Sequence, residues 1–119
     1  MQQTEFLNNI VFKDLKNLNK DPKKKEIIYF SEEDFQIVLE RAEHFGISIY
    51  SIETWKNKKS QAISVNEDFR KKATDPRWYK KAFLTFKTTE KKLNYSATYK
   101  VSNKLLAREN PSKISVNDK

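Results

Sequence analysis

His44 is the first place to look for chemistry in this chain, because it is the only histidine. A Ser-His-Asp relay would have to use it, and a paired-histidine metal site has no second ligand. It directly precedes Phe45 at the expected end of a helix, where a cation meets the negative end of the helix dipole favourably. That structural role accounts for it. Glu32, Glu33 and Asp34 cluster at an expected helix start, where capping and the positive end of the dipole account for them. Glu67 and Asp68 are neighbours in a polar loop. Glu90, Lys91 and Lys92 match the Glu-x-Lys half of a magnesium-dependent nuclease pattern, but at a helix end or turn and not on a strand. Phosphate-cradling loops need several glycines, and Gly46 is the only one. Cysteine is absent, which removes thiolate nucleophiles, disulfides and cysteine-held metal clusters. No catalytic residue, metal ligand or cofactor is assigned, and the chain is not expected to be an enzyme.

What remains is surface. The formal net charge is +8, which suits nucleic acid or an acidic protein as partner. Arginine, the usual bidentate phosphate reader, supplies only Arg41, Arg70, Arg77 and Arg108 of the 24 basic residues. Lysine can also serve as plain solubilising charge. On an expected helix at 76–90, Arg77, Lys80, Lys87 and Lys91 fall opposite an aromatic stripe, with Leu84 exposed among them. Lys56, Lys58 and Lys59 occupy an expected hairpin turn, and Lys71 and Lys72 a nearby loop. These residues form a candidate basic face. Tyr50, Trp55, Tyr95 and Tyr99 lie on expected strands and form a candidate aromatic surface, or else simply fill the core.

The elements that would position these groups are legible from periodicity. Phe6, Leu7, Ile10, Val11, Leu15 and Leu18 recur every three or four residues and predict an amphipathic helix over 4–18. Asp21-Pro22 breaks the chain. Residues 26–30 read as a strand. Ser31 then caps a helix whose apolar face is Phe35, Val38, Leu39, Ala42 and Phe45. Gly46 suits the left-handed residue that ends it. Strands follow at 47–55 and 61–65 around the 56–60 turn. Asp75 as N-cap with Pro76 at the first helical position starts the helix at 76–90. Thr85, Thr88 and Thr89 weaken that assignment in favour of a strand at 82–88. Strict alternation over 93–101 predicts a half-buried strand. Residues 103–109 add a short helix.

The resulting order, after an N-terminal helix within 1–18, is β-α-β-β-α-β. This predicts an α+β ferredoxin-like sandwich, a four-stranded antiparallel sheet covered by two helices. One domain spans 1–109, and 110–119 is expected to be a disordered tail. RNA-recognition motifs share this topology and stack bases on aromatics of the central strands. The strand at 61–65 carries no ring, so the chain is not assigned to them. The start of the chain lacks a secretion-signal pattern, no stretch is apolar enough to span a membrane, and a cysteine-free domain of this size favours the cytoplasm. The leading expectation is a non-catalytic binding protein that engages nucleic acid or an acidic protein. An immunity-type inhibitor of a toxin or enzyme, and a small-molecule sensor or small enzyme with a cleft between sheet and helix, are the alternatives.

Overall fold

The computed structural model describes residues 1–108. The expected helix and tail residues from 109 onward lie outside them. The chain builds an α+β structure around a three-stranded antiparallel sheet.

Its first helix is shorter than the periodicity predicts. α1 (Gln3–Phe6) continues into a π-helical turn at Leu7–Val11 and stops at Phe12. The Phe12 amide closes that turn by donating to the Leu7 carbonyl at 2.7 Å. Asp14 adopts a left-handed φ of 66°, so the helical path cannot continue to Leu18. Arg41 takes over the end of the turn. Its guanidinium donates to the carbonyls of Val11 and Lys13 at 2.9 and 2.8 Å, groups a helix end leaves without partners.

The strand expected at 26–30 also shrinks. Only Phe30 pairs with the sheet, exchanging both backbone hydrogen bonds with Tyr95 at 2.8 Å. Upstream, the chain's own polar groups compete for the backbone. The Asn19 side chain donates to the carbonyls of Lys24 and Ile27, Asn17 accepts from the Tyr29 amide, and the Leu18 amide donates to the Tyr29 carbonyl. The described residues hold three strands and one bridge, and not the four-stranded ferredoxin-like sheet expected from the sequence.

α2 (Glu32–Phe45) forms as expected. Ser31 Oγ accepts from the Asp34 amide, and Gly46 ends the helix at φ 67°. β1 (Ser48–Lys56) and β2 (Lys59–Val65) form a hairpin whose two turn residues, Asn57 and Lys58, are both left-handed. That is the two-residue turn whose twist matches the strands. α3 (Pro76–Thr89) is capped by Asp75, which accepts from the Arg77 amide at 2.9 Å. The threonines do not break it, because the hydroxyls of Thr85, Thr88 and Thr89 donate one turn back to the carbonyls of Lys81, Leu84 and Thr85. β3 (Asn94–Lys100) and α4 (Asn103–Arg108) complete the described chain.

The strand order is β2-β1-β3. α2 and α3 cover one face, and the core between them is aromatic. Phe35 of α2 stacks on Tyr95 of β3 and meets Phe83 of α3 edge-on, while Phe83 and Tyr95 also pack edge to face. Trp78 ties α3 to the sheet by donating its indole N–H to the Ile49 carbonyl at 3.1 Å. On the outer edge of β3, the Gln3 side-chain amide donates to the Tyr99 carbonyl and accepts from the Val101 amide. One side chain thus occupies the edge that a fourth strand would have filled. No helix among the described residues is long and apolar enough to cross a membrane.

Candidate functional site

The 56–58 turn and the 20–25 loop are more than thirty positions apart in sequence, and both are dense in lysine. Folding brings them together. The hairpin projects Lys58 at its tip, and Trp55 close to the turn is buried, its Nε1–H donating to Ser96 Oγ at 2.8 Å. Tyr29 stacks on Trp55 at 5.3 Å, which seats the preceding loop against the hairpin. Within that loop, Asp21 caps a short turn at Pro22–Lys24 by accepting from the Lys23 amide. Lys24 and Lys58 then line one small cavity of about 40 Å³ together with Asn19, Asp21, Tyr29 and Trp55.

This end of the molecule exposes Lys20, Lys23, Lys24 and Lys25 from the loop, and Lys56, Lys58 and Lys59 from the hairpin. Against them stand Asp21, Glu26 and Glu90. Only Lys56 is ion-paired within the described residues, to Glu90 at 2.6 Å. Glu90 is therefore a helix-end residue paired with a lysine, and among the described residues no group of three or more His, Asp or Glu side chains is arranged to hold a metal ion.

The helix face expected to be basic is differently composed. Arg77 is paired with Asp75 at 2.7 Å, and Lys80 with Glu43 of α2 at 2.6 Å. Lys87 lies 5.0 Å from the centroid of the Phe83 ring. Leu84 is exposed among them, as the periodicity predicts. Lys91 is exposed beyond the helix end, and Lys71 and Lys72 are exposed in the loop before Asp75. Of the four cations on α3, Arg77 and Lys80 are thus paired with carboxylates, whereas at the hairpin end only Lys56 is. The contribution of 20–25 carries no motif. Its signal in the sequence was lysine density alone, and its neighbour was not readable.

Of the four candidate aromatics, Trp55 and Tyr99 line one cleft, and Tyr50 and Tyr95 do not join them. Tyr50 is exposed, at 46%. Tyr95 is buried in the core against α2 and α3, Tyr99 packs on Phe12, and Trp55 lies with Ser96 on the opposite face of the sheet. His44 is exposed at the end of α2, its ring edge-on to Phe45.

Two sets of side chains have perturbed protonation. The Arg77 guanidinium bonded to Asp75, helped by the Arg77 backbone amide, holds that carboxyl down at about 2. Burial pushes the Tyr95 hydroxyl up to about 12, with the Glu32 charge adding to it. Burial also raises the hydroxyls of Tyr79 and Tyr99. All three hydroxyls are buried without a hydrogen-bond partner among the described residues.

Compared with known proteins, the chain matches no family model, and no curated sequence or solved structure is significantly similar to it.

Proposed function

We propose that this protein is a non-catalytic binding protein that holds nucleic acid by its phosphates at the lysine-rich end. The observation that carries this reading is the meeting of two lysine-dense segments at Lys24 and Lys58. Lys20, Lys23 and Lys59 are exposed on the same two segments and have no ion pair with a carboxylate within the described residues. A cluster of uncompensated cations neutralises phosphates and releases their counterions, a term that acts without regard to sequence. Lysine is a point charge on a flexible stem and reads no base edge bidentately. The binding is therefore weakly selective and strongly salt-dependent.

The test is fluorescence anisotropy with labelled duplex DNA and single-stranded RNA at several salt concentrations. On duplex DNA each phosphate contact contributes about 0.9 to the slope of log affinity against log salt. The double variant Lys24→Glu with Lys58→Glu should flatten the slope by about two. Lys80→Glu with Lys87→Glu, on the α3 face away from the lysine-rich end, should change it far less. Undetectable wild-type binding at low salt overturns the reading. Equal displacement by polyglutamate would point instead to an acidic protein as the partner.

A further inference from the structure

The face of the sheet turned away from α2 and α3 is not bare. The 25–28 segment and the N-terminal helix flank it, leaving a cleft of about 470 Å³. The sheet register builds its floor. Ser51 lies opposite Thr98, and Glu53 opposite Ser96, so these four side chains share one face of β1 and β3. Ile27 and Ile28 line one side, and Leu7 and Phe12 the other.

The floor is a connected polar surface. Ser51 and Thr98 share a hydrogen bond of 2.8 Å, Ser96 accepts from the Trp55 indole, and Glu53 accepts from Ser60. Its remaining capacity follows from the donor and acceptor inventory of these groups. Ser51 and Thr98 have four acceptor positions between them, of which their shared bond uses one, and Ser96 keeps one beside that taken by the Trp55 indole. Glu53 has about four acceptor positions, of which Ser60 occupies one. Only Glu53, Glu26 and Lys25 among the lining residues carry charge. The cleft thus has a carboxylate on its floor and an acidic balance, within a chain of net charge +8. A volume of this size with apolar sides and a few converging polar groups suits a small organic ligand.

We propose that this cleft binds a small organic ammonium compound. Its amine head bonds to the Glu53 carboxylate with the Ser51 and Ser96 hydroxyls beside it, and its apolar body lies against Ile27, Ile28, Leu7 and Phe12. Hydrogen bonds between ionised partners are roughly twice as strong as neutral ones. An anionic ligand would face Glu53 and Glu26 with only Lys25 to offset them. The charge preference is opposite to that of the lysine-rich end, so the two sites are separable.

The test follows amide chemical shifts of the whole protein during titration with three probes of matched shape: phenethylamine, phenethyl alcohol and phenylacetate. Phenethylamine should shift the amides of 51–55 and 96–98. It should bind at least about tenfold more tightly than the alcohol, with phenylacetate weakest. Glu53→Gln should remove the amine's advantage and leave the alcohol unchanged. Asn8→Trp, a change at an exposed position lining the cleft, should block all three probes while the remaining spectrum stays native. Neither variant should alter the salt dependence of nucleic-acid binding. Phenylacetate binding as tightly as phenethylamine, shifts confined to other surfaces, or an amine advantage that survives Glu53→Gln would overturn the proposal.

Discussion

Tyr29 stacks on Trp55 with ring centroids 5.3 Å apart and planes 22° from parallel. The pair pins the segment before α2 to the face of the sheet that the helices leave open. Trp55 lines both the small cavity between the lysines and the large cleft, so it forms the boundary between them. Tyr29→Ala should cost about 3–5 kcal/mol, the range for truncating a buried ring. Urea unfolding measures the loss. Nucleic-acid affinity should fall with it, because the 20–25 loop loses its seat. A cost below about 1 kcal/mol would show that Asn17 and Asn19 alone hold the segment.

Phe35 and Leu39 are buried on the inner face of α2. Leu39→Ala should destabilise by about 2–5 kcal/mol through lost transfer energy and the cavity left behind. Phe35→Ala should sit toward the upper end of this range, because it also removes ring contacts to Tyr95 and Phe83. Thermal and urea unfolding of both variants check the order.

Gly46 has φ 67°, and a Cβ built there meets nothing within 4 Å. Gly46→Ala therefore isolates the backbone cost of a left-handed residue from any packing clash. The expected loss is on the order of 1 kcal/mol. A much larger loss would mean that the substitution forces a new chain path into Ile47.

Asp75 has its carboxyl held at about 2, below its ordinary 3.8, by the bond to Arg77. A carboxyl depressed in the folded state adds stability above its unfolded pKa, and that stability is lost as pH falls through the folded value. The contribution should be intact at neutral pH and disappear between about pH 4 and pH 2. An NMR titration of Asp75 should give a midpoint near 2 in wild type and a value closer to 3.8 in Arg77→Ala.

The alkaline side has the opposite sign. Tyr95 is raised from 10.0 to about 12 by burial, with the Glu32 charge second. An acid raised in the folded state adds stability below its unfolded pKa, and that stability is lost as pH rises toward the folded one. Unfolding should become easier between about pH 10 and pH 12. Tyr95→Phe removes a buried hydroxyl that lacks a partner among the described residues, so it should be neutral or stabilising at pH 7 and should reduce this sensitivity. Denaturant midpoints across that pH range check both effects.

Determinants that act within one turn of chain were readable from the sequence. Ser31 as cap, Gly46 as terminator, the Asp75-Pro76 start and the apolar faces of α2 and α3 all act over a few residues, and the structure contains each of them. The alternation around Tyr95 and the hairpin at 56–60 are local in the same sense. The first helix and the first strand came out differently, because their outcome depends on distant partners. Arg41 collects the carbonyls at Val11 and Lys13, Asn17 and Asn19 take backbone groups of 27–29, and Gln3 occupies the edge beside Tyr99. Hydrophobic periodicity does not register such side-chain competition for backbone hydrogen bonds.

The same division holds for the sites. Residue counts and helical spacing are enough to show that the chain is strongly basic, that lysine carries the charge, and that Arg77, Lys80 and Lys87 share a helix face. Which of those charges are paired depends on the folded chain. Asp75 and Glu43 sit beside Arg77 and Lys80, whereas Lys24 and Lys58 converge from segments with no common motif. The cleft over Glu53 was equally invisible, because its floor exists only once strand register places Ser51 against Thr98 and Glu53 against Ser96. Charge is a property of residues and can be counted along the chain. Its compensation falls off with distance through space, and only the fold sets that distance.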